Sequence, residues 1–271
     1  MNAKFKNAVM GIPQDVPPIW FMRQAGRYHS HYQNLRKKHT FEELCKNPEL
    51  SAEVACGPIL DFDYDVAILF SDILFPLELF GLDLSYKPGP TFGNFLVKGD
   101  EKKHISNQQI IDFLSFQVDA LRLTRYLHED KSLVGFVGGP WTILSYGMDI
   151  KQRDSFHFSN DKVFIEQILY EKIVPIIRKN IELQLNSGAE IVYIFDTNSK
   201  QLNEKYYLNT YLETLKNELF FTFKKKLAYF SKNRSFYTQE VSKISDLQLA
   251  GVVYSIENGL GEFLRSRGNF F

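Results

Sequence analysis

Apolar residues cluster along this chain in short runs that do not alternate with polar ones. The runs are Ile19–Met22, Val66–Phe70, Leu133–Val137, Ile191–Phe195, Ser235–Tyr237 and Gly251–Tyr254. A strand buried on both faces reads this way, as in a parallel sheet covered by helices. Between the runs lie stretches with a helical period. Thr40 followed by Glu43 predicts a capping box at the start of one. Within Gln108 to His128, the residues Ile111, Leu114, Val118 and Leu121 share a helical face. Asp161 to Asn186 predicts a long helix, kinked at Pro175 and stopped near Gly188, and Leu202 to Leu227 predicts another. Strand and helix alternating at this spacing predict an α/β fold with a parallel sheet. No break in composition divides the chain, so residues 1–271 are read as one domain. Pro88–Gly93 is rich in turn formers and reads as a loop bordering a site. Lys224–Lys226 reads as the solvated end of a helix.

Composition narrows the partners. Lys plus Arg and Asp plus Glu both number 32, so no overall field favours nucleic acid or an acidic membrane. An anionic ligand would have to be drawn by a local group of arginines. The 24 phenylalanines allow a sizeable core with aromatic surface left over for a pocket. Cys45 and Cys56 fall in one helix-like stretch, roughly 16 Å apart by helical rise, which is beyond disulfide reach. They read as reduced core thiols of a cytoplasmic protein. Residues Met1 to Pro13 contain no apolar core of a signal peptide. No apolar run approaches the ~18 residues of a membrane helix.

Active sites of parallel βα folds gather where strands end. The residues after each apolar run are therefore the candidates. After the first come Arg23, Gln24, Ala25, Gly26 and Arg27; after the second, Ser71 and Asp72. Gly138 to Thr142 and then Tyr146 follow the third, and Asp196, Thr197 and Asn198 follow the fourth. Each alone has an ordinary explanation: a rim salt bridge, an N-cap, a packed phenol, a glycine-rich strand exit, a loop-orienting carboxylate. Their joint placement suggests one site with arginines, a carboxylate, a phenol and a hydroxyl. There is no Gly-x-Gly-x-x-Gly after the first run and no Walker loop, so nucleotide binding has no support. No His-x-Cys pair points to a zinc site, and all six histidines lie before residue 158.

Three strings carry a resemblance. They are Pro18-Ile19-Trp20-Phe21-Met22-Arg23-Gln24-Ala25-Gly26-Arg27-Tyr28, then Ala67-Ile68-Leu69-Phe70-Ser71-Asp72-Ile73-Leu74, then Gly135-Phe136-Val137-Gly138-Gly139-Pro140-Trp141-Thr142. In order and spacing they closely resemble signatures of the uroporphyrinogen decarboxylase family. The resemblance implies a (β/α)8 TIM barrel, commonly a homodimer. It implies removal of the acetate carboxyl groups of uroporphyrinogen III in haem synthesis, with no cofactor and no metal. It places a substrate-binding loop on Arg23, Gln24, Ala25, Gly26 and Arg27, a further arginine on Arg36, and the carboxylate that meets the pyrrole nitrogens on Asp72. It places a substrate-binding tyrosine on Tyr146 and a small hydroxyl residue on Thr197. Asp72, Arg23 and Arg27 are the expected catalytic set. After Thr197 the likeness weakens, with Asn198-Ser199-Lys200 in place of the family's aromatic-Ala-Gly. Gly268-Asn269 resembles the end of the family's seventh strand, and the sequence stops two residues later. An incomplete barrel of about seven strands is thus expected, lacking the eighth βα unit and its histidine.

The implied reaction needs an electron sink. Protonating a pyrrole carbon supplies one, and a carboxylate near the ring N–H groups stabilises the positive charge, a role that typically contributes about 3–4 kcal/mol. Asp72 suits it. Arginines suit a substrate with many carboxylates, because their planar forks pair bidentately. An arginine is a poor proton donor, although it can relay a proton through water or a substrate carboxyl. Two other readings stand beside this one: an inactive tetrapyrrole-binding or structural homologue, and a related barrel methyltransferase, which the absence of His/Cys ligands disfavours.

Overall fold

A computed structural model describes residues 1–87, 89–150, 161–237 and 246–253. Among them, five strands form one parallel sheet: β1 (Val66–Ile68), β4 (Ser132–Gly138), β5 (Ile191–Asp196), β6 (Leu227–Ser231) and β7 (Gly251–Val252). A separate antiparallel pair, β2 (Leu84–Tyr86) and β3 (Pro90–Phe92), is inserted between the first two. The sheet order is β1-β4-β5-β6-β7, so each strand lies beside the next parallel one along the chain. A doubly wound sheet would reverse this order at its middle; winding in one direction is how a βα barrel is built.

Alternate strand residues face opposite sides, and two hydrophobic clusters separate along that alternation. Ala67, Leu69, Leu133, Val137, Val192, Ile194, Leu227 and Tyr229 pack outward beneath the helices. Val66, Ile68, Val134, Ile191, Tyr193, Phe195 and Ala228 face inward and pack with Phe5 and Trp20. Both faces of β1, β4 and β5 are largely buried, which is why their runs showed no alternation. The helix Ala3–Val9 carries Phe5 into the inner cluster. Its N-terminal end is tied to residues at the starts of strands: Asn2 N donates to Ser132 Oγ at 2.9 Å, the Met1 ammonium lies 2.9 Å from Glu190, and Lys4 lies 3.2 Å from Asp65. This helix covers the end where strands begin and leaves the other end for a site.

Several expected elements form as read. Thr40 and Glu43 make a reciprocal capping box. Gly188 adopts φ +105° after the helix Val174–Asn186, and Pro175 sits in that helix's first turn. The preceding segment Gln167–Ile173 is wound as π-helix, and wider winding ahead of a proline relieves the clash its ring makes with the previous turn. The helix over Gln108–His128 is two pieces, Asn107–Phe113 and Ser115–Leu127. Leu114 and Leu121 are buried there as expected, while Ile110 and Gln117 are buried in preference to Ile111 and Val118. Cys45 and Cys56 are free and buried, in two helices parted at Asn47 rather than in one. Burial pushes the Cys56 thiol up to about 11 and raises Cys45 as well, so both stay protonated.

Five expectations are corrected. Ile19–Met22 is not a sheet strand; one backbone bond, from Asp65 N to Ile19 O at 3.0 Å, and two side chains hold it, with Asp65 Oδ2 accepting from Ile19 N at 2.8 Å and Gln24 Oε1 from Phe21 N at 3.2 Å. The helix expected to run to Leu227 ends near Phe220, and Leu227–Ser231 is strand β6. Ser235–Tyr237 is a helical turn, buried because it packs over the end of β6, where Tyr237 Oη donates to Ser231 O at 2.7 Å. The segment expected as a loop at Pro88–Gly93 contains β3, and Pro88 itself lies outside the described residues. The lysine run 224–226 is exposed, in the turn before β6 rather than at a helix end. The expected seventh-strand region, residues 265–271, lies outside the described residues.

Candidate active site

The first candidate segment is a turn-rich loop held from behind. Gln24 is turned inward and buried, so it anchors the loop rather than presenting its amide to solvent. Its Nε2 donates to Val66 O at 3.0 Å, and its Oε1 accepts from Phe21 N at 3.2 Å. Tyr28 Oη donates to Gln24 O, and Gln33 Nε2 donates to Arg27 O at 2.6 Å. His29, buried beneath, lies 2.6 Å from Asp61 through Nε2. Ala25 is half-buried and packs beside Tyr32 and Leu35. Gly26 O accepts from His29 N at 2.9 Å, closing the turn. With the backbone fixed this way, Arg23 and Arg27 are exposed. Arg36 is exposed too, and its Nη1 donates to His39 O at 2.5 Å. Among the described residues, none of the three arginines forms a salt bridge with a carboxylate.

Asp72 lies four residues beyond β1, in the turn that leads from the strand end. Its Oδ1 accepts from Leu74 N at 2.8 Å. Burial raises its carboxyl above the usual carboxylate range, opposed by the Leu74 N–H, the Tyr86 phenol and the charge of Arg23. Tyr146, in the helix Pro140–Gly147 after β4, is raised by burial and then by the charge of Asp72. Arg36 and Arg27 both act on Tyr32, and Arg36 also acts on Cys45, which in turn feels Asp72. Asp72 is thus coupled to Arg23 and Tyr146, while Arg27 and Arg36 meet at Tyr32. Thr197 sits half-buried at the end of β5 on the same rim. Beside it Asn198 Nδ2 donates to Ser145 Oγ at 2.6 Å, next to Tyr146.

Beneath this rim is a buried carboxylate. Asp196 Oδ1 accepts from Thr142 Oγ1 at 2.8 Å and Thr142 N at 3.2 Å, and Oδ2 accepts from Tyr211 at 2.6 Å and Tyr229 at 3.0 Å. Burial raises its carboxyl, and the four donors oppose that. Tyr207, Ser231, Ser199 and Tyr237 extend the network across β6. Asp196 had been read from sequence as a loop-orienting residue; it pins the loop after β4 to the end of β5. The tyrosines that satisfy it were not legible, because they lie on a helix and on an unassigned strand. Tyr86 was also missed. The turn residues after it were the available sign that it ends a hairpin strand. Among the described residues, no group of three or more His, Cys, Asp or Glu could hold a metal ion. No helix among them is long and apolar enough to cross a membrane.

A sequence model of the family described as Uroporphyrinogen decarboxylase (URO-D) matches residues 1–255. The chain belongs to the uroporphyrinogen decarboxylase family. A uroporphyrinogen decarboxylase of Geobacter sp. (strain M21) is 36% identical over 202 residues, which are 73% of this chain and 60% of that protein. One of Pelobacter propionicus is 38% identical over 208 residues, 73% of this chain and 59% of that protein. The matched part of the chain thus spans about three fifths of these family members' length. A solved methyltransferase from Methanosarcina mazei superposes with a TM-score of 0.73 at 17% identity, covering 99% of this chain and 80% of that one. That likeness is one of fold, and with the one-way winding of the sheet it places the uroporphyrinogen decarboxylase-type chain among the (β/α) barrels.

Proposed function

We propose that this protein is a carboxy-lyase acting on uroporphyrinogen III, removing its four acetate carboxyl groups to give coproporphyrinogen III. The observation that carries this is the pairing of a half-buried carboxylate, Asp72, with an exposed arginine loop in a barrel of this family. Arg23, Arg27 and Arg36 would bind the substrate's carboxylates, whose charge the three exposed guanidinium groups complement. Asp72 would face the pyrrole N–H groups. Its negative charge would stabilise the cation formed when a pyrrole carbon is protonated, and the attraction is strengthened by its partial burial. Loss of CO2 then passes its electron pair into the ring and leaves an exocyclic double bond; a second proton added to that outer carbon completes the methyl group, and the ring carbon releases the first proton to restore the pyrrole. Tyr146 and Thr197 would hydrogen-bond substrate carboxylates. The loop Arg23–Arg27 keeps its shape without substrate because Gln24 and Gln33 hold its backbone, so little ordering is lost on binding. A homodimer in the cytoplasm, working without cofactor, completes the reading. Incubation of the purified chain with uroporphyrinogen under reducing conditions tests it through the partially decarboxylated products.

A further inference from the structure

We propose, on this reading of the site, that Tyr86 is a positioning residue whose hydroxyl closes onto the Asp72 carboxylate and fixes that carboxylate's orientation and charge. The Tyr86 hydroxyl is buried and has no hydrogen-bond partner within ordinary distance. A buried donor left unmade is costly, and such groups are uncommon in folded proteins. Its ring is set by packing. Phe41 lies 4.7 Å away between centroids and Phe75 lies 6.1 Å away. Phe75 follows Asp72 by three residues, and Phe41 also packs at 5.8 Å on Phe70, two residues before Asp72. The backbone is held as well, with Tyr86 N donating to Glu42 Oε1 at 3.0 Å and Tyr86 registered opposite Pro90 in the hairpin.

Asp72 offers the acceptor. One of its oxygens takes the Leu74 N–H, and the other has no hydrogen bond among the described residues. The two groups already act on one another: the phenol lowers Asp72, while burial and then the charge of Asp72 hold the phenol far above its ordinary value. Tyr86 is therefore always a donor. A donor aimed at a carboxylate favours the ionised form, which is the form needed to face a developing pyrrole cation. The arrangement lets a half-buried carboxylate stay charged without a close salt bridge that would compete with substrate.

The test is Tyr86→Phe in the full chain, which removes the hydroxyl and keeps the ring. The Asp72 side-chain carboxyl is followed by 13C NMR across a pH series and assigned with Asp72→Asn. The expected result is a roughly tenfold weaker acid in Tyr86→Phe, with the acid limb of kcat for uroporphyrinogen moving up alongside it and KM nearly unchanged. An unchanged Asp72 titration would overturn the proposal. Tyr86→Met, also without a hydroxyl, gives a second reading if the Phe variant folds poorly. Should the wild-type chain show no decarboxylation, the functional reading falls while the carboxyl titration still decides the role of Tyr86.

Discussion

Gln24 reaches from the arginine loop to the carbonyl oxygen of Val66, 3.0 Å away, and so stitches that loop to the first strand of the sheet. Its other amide atom accepts from Phe21 N. Two backbone groups thus depend on one buried side chain. Gln24→Ala leaves both without a partner and should destabilise the fold by about 1–3 kcal/mol. Arg23 and Arg27 would then lose their fixed spacing, and KM should rise more than kcat falls. Urea unfolding and steady-state kinetics check both parts.

The arginine loop also shows how far the sequence was readable. The strand-end rule pointed to Arg23, Asp72, Tyr146 and Thr197 from apolar runs alone; Asp72, Tyr146 and Thr197 do follow the C-terminal ends of β1, β4 and β5, whereas Arg23 sits in a loop that follows no strand. What the runs did not reveal was pairing. Ile19–Met22 is as apolar as a strand, yet Gln24 and Asp65 satisfy part of its backbone in place of a ladder. Leu227–Ser231 was hidden because the helical period before it runs straight into its apolar residues, across three lysines that suit a helix end as well as a turn. In the turn before β6, Lys225 takes a left-handed φ of 58°, which a lysine does not advertise. Ser235–Tyr237 looked like a strand because it is aromatic, but its burial comes from capping β6. The Asp196 network shares this opacity, since its donors Thr142, Tyr211 and Tyr229 meet only in three dimensions.

Asp72→Asn keeps the shape and the acceptor for Leu74 N but removes the charge. If Asp72 stabilises a cationic intermediate, kcat should fall by roughly 100-fold or more while KM changes little. Unchanged kcat with raised KM would mean that Asp72 only binds. Because burial raises this carboxyl, the acid limb of the kcat profile should lie above the usual carboxylate range. Activity is lost as pH falls through that raised value, since the protonated form carries no charge.

Asp196 should matter to folding more than to chemistry. Asp196→Ala strips the partners from Thr142, Tyr211 and Tyr229 together, a loss of about 3 kcal/mol or more. The pH dependence has a definite sign. The folded carboxyl is raised above its unfolded value, so the folded state holds the proton more tightly. Wild-type stability relative to Asp196→Asn should grow as pH falls through the raised value and level off below the unfolded one. Urea unfolding of the two proteins across that range measures it.

Gly139 is bound to the same carboxylate by space. A Cβ there would meet Asp196 Cβ and Cγ at 2.3 Å. Four hydrogen bonds keep Asp196 from moving aside, so Gly139→Ala should cost about 1–3 kcal/mol or more. Thermal melting of the variant checks this, and a melting temperature equal to wild type would show that Asp196 yields easily.

The central claim is that the Asp72 and arginine rim decarboxylates a tetrapyrrole. The direct measurement is single-chain turnover: purified protein, uroporphyrinogen III kept reduced, and products separated by their number of remaining carboxyl groups. The account predicts stepwise appearance of species with seven, six, five and four carboxyl groups, ending in coproporphyrinogen III, and their loss in Asp72→Asn. A correctly folded wild-type chain that leaves uroporphyrinogen unchanged would contradict it.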